Sequence, residues 1–419
     1  MRAIALVAAL ALAPALAVGA PLTGMPKDPK VWAAADAARP EQLDLLKQVV
    51  DIDSGTGDVE GGSKAAAILA GRLGAIGADV QAVPAEAPGL PENLVATLKG
   101  TGKGRILMIG HMDTVFEPGE AARRPYRTDA EKAYGPGVGD EKGGVVEGVY
   151  ALKLLRDLGF KDFGQIVFLI ETSEERGSTG TQGLIARLAK EADVELNLEP
   201  GDTPDVLTVW RKSAVTFRIK VKGRAAHAGM APQDGRNAAT ELLHQLQLFE
   251  GAFPRSGEGL TANLTILSAG TRANIIPDRA EAQINVRVRD LADLGPVQAV
   301  LEKNAATTAV PDTSVSIDRG TDAVFPPLRV NPATEALADR AEAIYAGLGL
   351  KISRGGNGGA SESALAAAAG TPALDGLGPA GGGFHGENEY ILLSTVTPRL
   401  YLLTKLLMDL GKSPPTPLH

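Results

Sequence analysis

The chain has no cysteine among its 419 residues. That excludes disulfides, thiolate metal sites and a lipid-modified cysteine, so any metal must be held by histidine and carboxylate. Positive charge is not in excess either: 42 Lys+Arg against 50 Asp+Glu leave a formal net charge of -8. No global basic field exists for nucleic acid or an anionic membrane, and an anionic substrate would need a local arginine. Beyond the N-terminus no apolar run is long enough to span a bilayer. Histidine is scarce, five in all, so the placing of each one carries information.

At 44% hydrophobic and 22% charged, the composition is that of a globular chain with room for two or three domains. The opening "MRAIALVAALALAPALAVGA" has one arginine, a short Ala/Leu run broken by Pro14, and small residues up to Ala20. It reads as a signal peptide, residues 1–20, giving an exported, periplasmic or secreted protein with no stable membrane span after cleavage. Up to Trp210 the pattern is α/β. "SKAAAILAGRLGAIG" is a helix with Ser63 as its expected N-cap, and "GGVVEGVYALKLLRDLG" puts Val145, Val149, Leu152 and Leu155 on one stripe. Apolar strands "LVATLKG", "RILMIG", "QIVFLI" and "VELNLE" between helices predict a mostly parallel, covered sheet.

After Trp210 the strands alternate apolar with polar, as in "VTFRIKVKG", "ANLTILSAG", "EAQINVRVRD" and "TSVSIDRG". Two helical stretches separate them, giving β-α-β-β-α-β, a ferredoxin-like α+β unit. The outer strands carry no decisive apolar face. From about Phe325 the first character returns, with a glycine-rich loop and a closing helix. The expected fold is therefore an α/β domain over residues 21–210 and 325–419, with an α+β domain inserted over 211–324.

In open α/β sheets, ligands bind beyond the carboxyl ends of the strands. There the sequence places His111 and Asp113, then Glu174 and Glu175, then Glu199. Asp140 precedes a helix, and His385 sits in "GGGFHGENEY". Each has an ordinary reading: a loop histidine is usually structural, Asp140 could be an N-cap, and a Glu-Glu pair is usually a solvated turn. Together they are costly to gather unless a cation neutralises them. Mixed His/carboxylate ligation suits Zn²⁺, with Mn²⁺ or Co²⁺ as lesser fits, and this many ligands fits two ions better than one.

Taken in order, "HMDTV", "GPGVGDEKGG", "ETSEERGS", "LEP" and "GGGFHGENEY" resemble the signature set of the dinuclear zinc amidohydrolases. That family includes glutamate carboxypeptidases, aminoacylases, di- and tripeptidases and succinyl-diaminopimelate desuccinylase, and the wording is closest to the glutamate carboxypeptidase (carboxypeptidase G) type. The resemblance implies two Zn²⁺ per subunit, with Asp140 bridging, His111 and His385 as terminal ligands, and Glu175 and Glu199 completing one metal each. Asp113 matches the carboxylate that orients His111, and Asp140-Glu141 falls where the family has a non-proline cis peptide. Glu174, free of metal, matches the general base. His227, in "GRAAHAGMAP", matches a histidine that binds the developing oxyanion, often across a dimer formed by the inserted lid domain. Arg287 matches the residue gripping the substrate carboxylate, and Asn274 a neighbouring polar contact.

Strand alternation places Arg287 and Arg289 opposite Ile284, Val286 and Val288, and a solvated face is enough for Arg289. Ser361-Glu362 stands where relatives show a Ser/Thr-Asp pair, and Ala360 replaces a glycine, in a loop that borders the family's substrate pocket. The implied activity is metal-dependent hydrolysis of the amide bond to a C-terminal amino acid, glutamate by the closest wording, in N-acyl or peptidyl conjugates. An aminoacylase or dipeptidase with an apolar side-chain pocket is the alternative within the same chemistry. A non-catalytic metal-binding protein is the alternative outside it.

Overall fold

A computed structural model describes residues 24–320 and 325–415. The expected signal peptide and His419 lie outside the described residues. Among the described residues no helix is long and apolar enough to cross a membrane.

A six-stranded sheet forms the centre, in the order Asp79–Val83, Asn93–Lys99, Gln165–Glu171, Arg105–His111, Val194–Asn197, Ala373–Leu374. The last four strands run parallel. Only Asn93–Lys99 runs against its neighbours, antiparallel to both Asp79–Val83 and Gln165–Glu171; the short link from Val83 to Asn93 leaves no room for a helical crossover. Helix Lys142–Asp157 is buried on nearly every side, so its apolar stripe is wider than the four expected positions. Helix Val59–Ala75 starts one turn before the expected cap: Asp58, not Ser63, is its N-cap, accepting from the Gly61 N–H. Gly61 and Gly62 can sit inside this helix because a Cβ there would meet the Asp53 carbonyl and the Pro91 ring.

Sequence patterning missed a seven-stranded sheet, in the order Ser353–Asn357, Val206–Arg211, Pro200–Asp202, Gly378–Gly382, Tyr390–Leu392, Lys132–Tyr134, Arg127–Thr128. Its strands are short, and several read "SRGGN", "PGD" or "GPAGG", without the alternation that marks a strand. Part of the glycine-rich "loop" is thus a strand, paired in parallel with Val206–Arg211.

Between residues 213 and 319 a four-stranded antiparallel sheet takes the order Thr261–Ala269, Arg279–Val288, Ser213–Lys222, Ser314–Arg319. With helices Ala238–Phe249 and Leu294–Ala305 it is the expected βαββαβ unit. Its core of Phe217, Ile219, Ile284 and Val286 shares no buried residue with the core around the central sheet. The chain enters and leaves side by side, through bridges Arg211↔Leu328 and Ala214↔Phe325. Arg289 is not merely solvated: its guanidinium covers the Trp210 ring at 4.1 Å.

Candidate metal centre

Parallel neighbours end at one edge, which is how residues far apart in sequence converge. His111 closes its strand, fully buried, while Glu174 and Glu175 lie just past Glu171 on the adjacent strand. Glu199 follows the strand on the other side. Asp140 stands before helix Lys142–Asp157, and His385 comes from the turn between Gly378–Gly382 and Tyr390–Leu392.

Asp140 is the hub. One carboxylate oxygen lies 3.1 Å from His111 Nε2, and the other 3.1 Å from His385 Nε2. His385 Nε2 also lies 3.2 Å from Glu175, and His111 Nε2 3.7 Å from Glu199. Among the described residues three groups of ligand-type atoms cluster: His111–Asp140–Glu199 and Asp140–Glu175–His385 share Asp140, and the all-carboxylate Glu141–Glu199–Glu362 lies behind them without an imidazole. Asp140 is no helix cap: that position is Glu141, which makes no side-chain cap bond, and the Asp140-Glu141 peptide is cis.

The proton affinities describe a place built for positive charge. Burial alone would lower the pKa of His111, yet its carboxylate neighbours Asp113, Asp140 and Glu199 raise it well above the usual imidazole value. His385 is held up at about 10 by its bonds to Asp140 and Glu175. Burial pushes Glu175 up to about 7, and burial likewise raises Glu174 and Glu199. Burial also opposes ionisation of Asp140, but the two imidazoles hold it below the usual carboxylate range. Glu175 Oε1 is buried with no hydrogen-bond partner. An imidazole-and-carboxylate donor set with such an orphaned oxygen fits divalent cations of the zinc type.

Around these groups the supports are specific. His111 Nδ1 is 3.0 Å from the Asp113 carbonyl oxygen and 3.4 Å from its carboxylate, so main chain and side chain both face the ring. The Asp113 carboxylate also accepts the backbone N–H groups of Glu174 and Glu175, at 3.2 and 3.3 Å, and the Thr56 hydroxyl at 2.6 Å. Glu171 accepts the Ser173 and Ser178 hydroxyls and so shapes the loop that aims the Glu pair inward. Glu174 belongs to none of the three groups but lines the same cavity of about 570 Å³. Across that cavity stands Arg287, its Nε donating to Asn285 at 2.8 Å.

His227 and Asn274 are not brought to this cavity. His227 is exposed, its Nδ1 accepting the Gly229 and Met230 N–H groups, in a two-stranded ladder against Ile275. Asn274 does not share a cavity with Arg287: it precedes strand Arg279–Val288, and Arg287 lies near the far end of that strand. Ser361 and Glu362 do not border the pocket either. Both are fully buried, Ser361 on Asp375 and Glu362 on Asn197, while Ala360 does line the cavity.

Some functional neighbours had no readable signal. Arg211 makes two 2.7 Å bonds to buried Asp375 and lies 3.5 Å from Glu199. Nothing in the sequence pairs residue 211 with 375. Asn197 accepts the Glu199 N–H and donates to Glu362.

The sequence profile of Peptidase family M20/M25/M40 matches residues 107–409. Carboxypeptidase G2 of Pseudomonas sp. (strain RS-16) is 35% identical over 409 residues, covering 96% of this chain and 97% of that protein. A succinyl-diaminopimelate desuccinylase of Methylobacterium sp. (strain 4-46) is 30% identical over 292 residues, 64% of this chain and 72% of its own. Among solved structures, a tripeptidase from Staphylococcus aureus subsp. aureus Mu50 aligns with a TM-score of 0.73 at 24% identity, over 89% of this chain and 98% of that one. An M20 family metallo-carboxypeptidase from Sulfolobus solfataricus aligns at 0.70 and 17%, over 88% and 99%. At those identities the structural likeness speaks for the fold.

Proposed function

The chain belongs to peptidase family M20/M25/M40, and on that premise we propose that this hydrolase is a two-zinc carboxypeptidase releasing a C-terminal glutamate from N-acyl or peptidyl conjugates. The observation that carries the reading is Asp140 set between two imidazoles, with Glu174 uncommitted beside it and Arg287 across the cavity. His111, Asp140 and Glu199 would hold one ion, and Asp140, Glu175 and His385 the other, with Co²⁺ or Mn²⁺ as substitutes. When bound, such ions acidify a water and polarise the carbonyl under attack.

The chain's own groups do the rest. Arg287 grips the substrate α-carboxylate, which restricts cleavage to the last peptide bond. Arg176, exposed on the same cavity wall, supplies further positive charge for an acidic side chain. Glu174 takes a proton from the attacking water and returns it to the leaving nitrogen as the C–N bond breaks and a C–O bond forms. A carboxylate whose pKa is raised by burial is suited to both transfers. Asp113 keeps His111 aimed.

Residues 21–210 and 325–419 form the catalytic unit in this reading, and 211–324 a lid that also dimerises. The edge strand Thr261–Ala269 supports this, exposing Leu264 at 45%, Ile266 at 52% and Leu267 at 53%. Through that dimer His227 and Asn274 of a second copy would reach the cavity, His227 to bind the oxyanion. The protein is exported, periplasmic or secreted, with its leader cut near Ala20. Mass analysis of the mature chain checks that, and a retained leader rejects it.

A substrate panel tests specificity: N-acyl-glutamate, -aspartate and -leucine compared by kcat/KM. Glutamate first is the expected result. Leucine first would move the protein to the aminoacylases or dipeptidases, a reading favoured by Phe325, Phe384, Ala214 and Ala360 on the cavity wall.

A further inference from the structure

We propose that Glu389 is a positioning residue that fixes Asp140 between the two imidazoles, and so decides whether both cation groups can be filled together. The inference rests on the two-cation reading above.

Glu389 is 1% exposed. Its Oε2 accepts the Gly137 N–H at 2.9 Å, while Oε1 accepts the Gly139 N–H at 2.9 Å and the Asp140 N–H at 3.0 Å. Three donors of one loop thus converge on one carboxylate, and the last of them is the amide of Asp140 itself. Gly137, at φ 71°, helps the loop turn these N–H groups inward, and a Cβ on Gly139 would come 2.7 Å from the Phe384 ring. The buried cation Lys142 belongs to the helix that follows, its Nζ tied to the Ile52 carbonyl at 2.9 Å.

Glu389 also follows His385 by four residues and directly precedes strand Tyr390–Leu392. That strand pairs on one side with Gly378–Gly382, which leads into the His385 turn, and on the other with Lys132–Tyr134, which leads into the Asp140 loop. The two loops that supply His385 and Asp140 are therefore bound through one strand and one side chain. Asp140 must meet a separate imidazole with each oxygen, at 3.1 Å both ways, so a small rotation of its backbone would lose one contact.

Only a carboxylate satisfies this arrangement, because it has acceptors at both oxygens and no donor. In Glu389→Gln the amide NH₂ must confront at least one backbone N–H, at nearly unchanged volume. In Glu389→Asp the charge stays but the reach shortens by one methylene. The test is zinc content per chain after dialysis against graded chelator, with melting temperatures of metal-free and zinc-loaded protein. Glu389→Gln is expected to bind zinc about 10–100-fold more weakly. Its content should fall toward one ion where wild type keeps two, with kcat lowered and KM nearly unchanged because Arg287 is untouched. Glu389→Asp should fall between the two. Wild-type zinc affinity and stoichiometry in either folded variant, with only the metal-free melting temperature lowered, overturns the proposal and leaves the function reading intact. A wild-type chain that binds no zinc overturns both.

Discussion

The carboxylate cluster and the tip of the inserted sheet are built in opposite ways. Around Asp140, side chains from five separate segments converge on one point, all but the half-exposed His385 largely buried, with His111 and His385 each 3.1 Å from Asp140. At the tip, His227 and Asn274 are exposed, and the hydrogen bonds they make among the described residues stay within their own turn and ladder. The first region is complete in one chain. The second serves the same reaction only if another copy presents it.

The sharpest break of that contrast is Glu174→Ala. It should keep both metals and lose roughly 10²–10⁴-fold in kcat; metal analysis beside steady-state rates checks this, and unchanged turnover removes Glu174 from the base role. His227→Ala should cost about 10²–10³-fold although the residue is remote from its own chain's cavity. Mixing it with Glu174→Ala subunits should restore activity, since a mixed dimer holds one intact pair; no recovery on exchange would confine the site to one chain. Arg287→Ala should lower kcat/KM by about 10–100-fold, the value of one charge-assisted contact, without loss of metal.

The smallest effect expected is in stability against pH. Without metal, folding raises the pKa of His111, Glu174, Glu175 and Glu199. Such groups stabilise when protonated, and lose that contribution as pH climbs from the usual carboxylate 4.5 through about 7 for Glu175. Depressed Asp140 acts oppositely, but only below its usual range. Metal-free protein should therefore melt lower at about pH 8 than at about pH 5, and zinc should reverse the trend, because ligation releases those protons. Calorimetry at both pH values decides; equal slopes with and without zinc would contradict it.

What the sequence showed was what periodicity and strand ends encode. Long apolar strands gave the central sheet, alternation gave the βαββαβ unit, and residues just past strands marked His111, Glu174, Glu175 and Glu199. It could not show pairings between distant segments, such as Arg211 with Asp375 or Glu389 with the Gly137–Asp140 loop. It also lost the seven-stranded sheet, because strands built of glycine and proline carry no alternation. Glu362 shows the remaining weakness: a position aligned with a pocket loop lies instead beneath the pocket, bonded to Asn197.

The most direct test is the zinc content of wild type and Asp140→Ala, purified without added metal. A shared bridging carboxylate predicts two ions per wild-type chain and the loss of both in the variant. One ion in wild type, or two retained without Asp140, would contradict it.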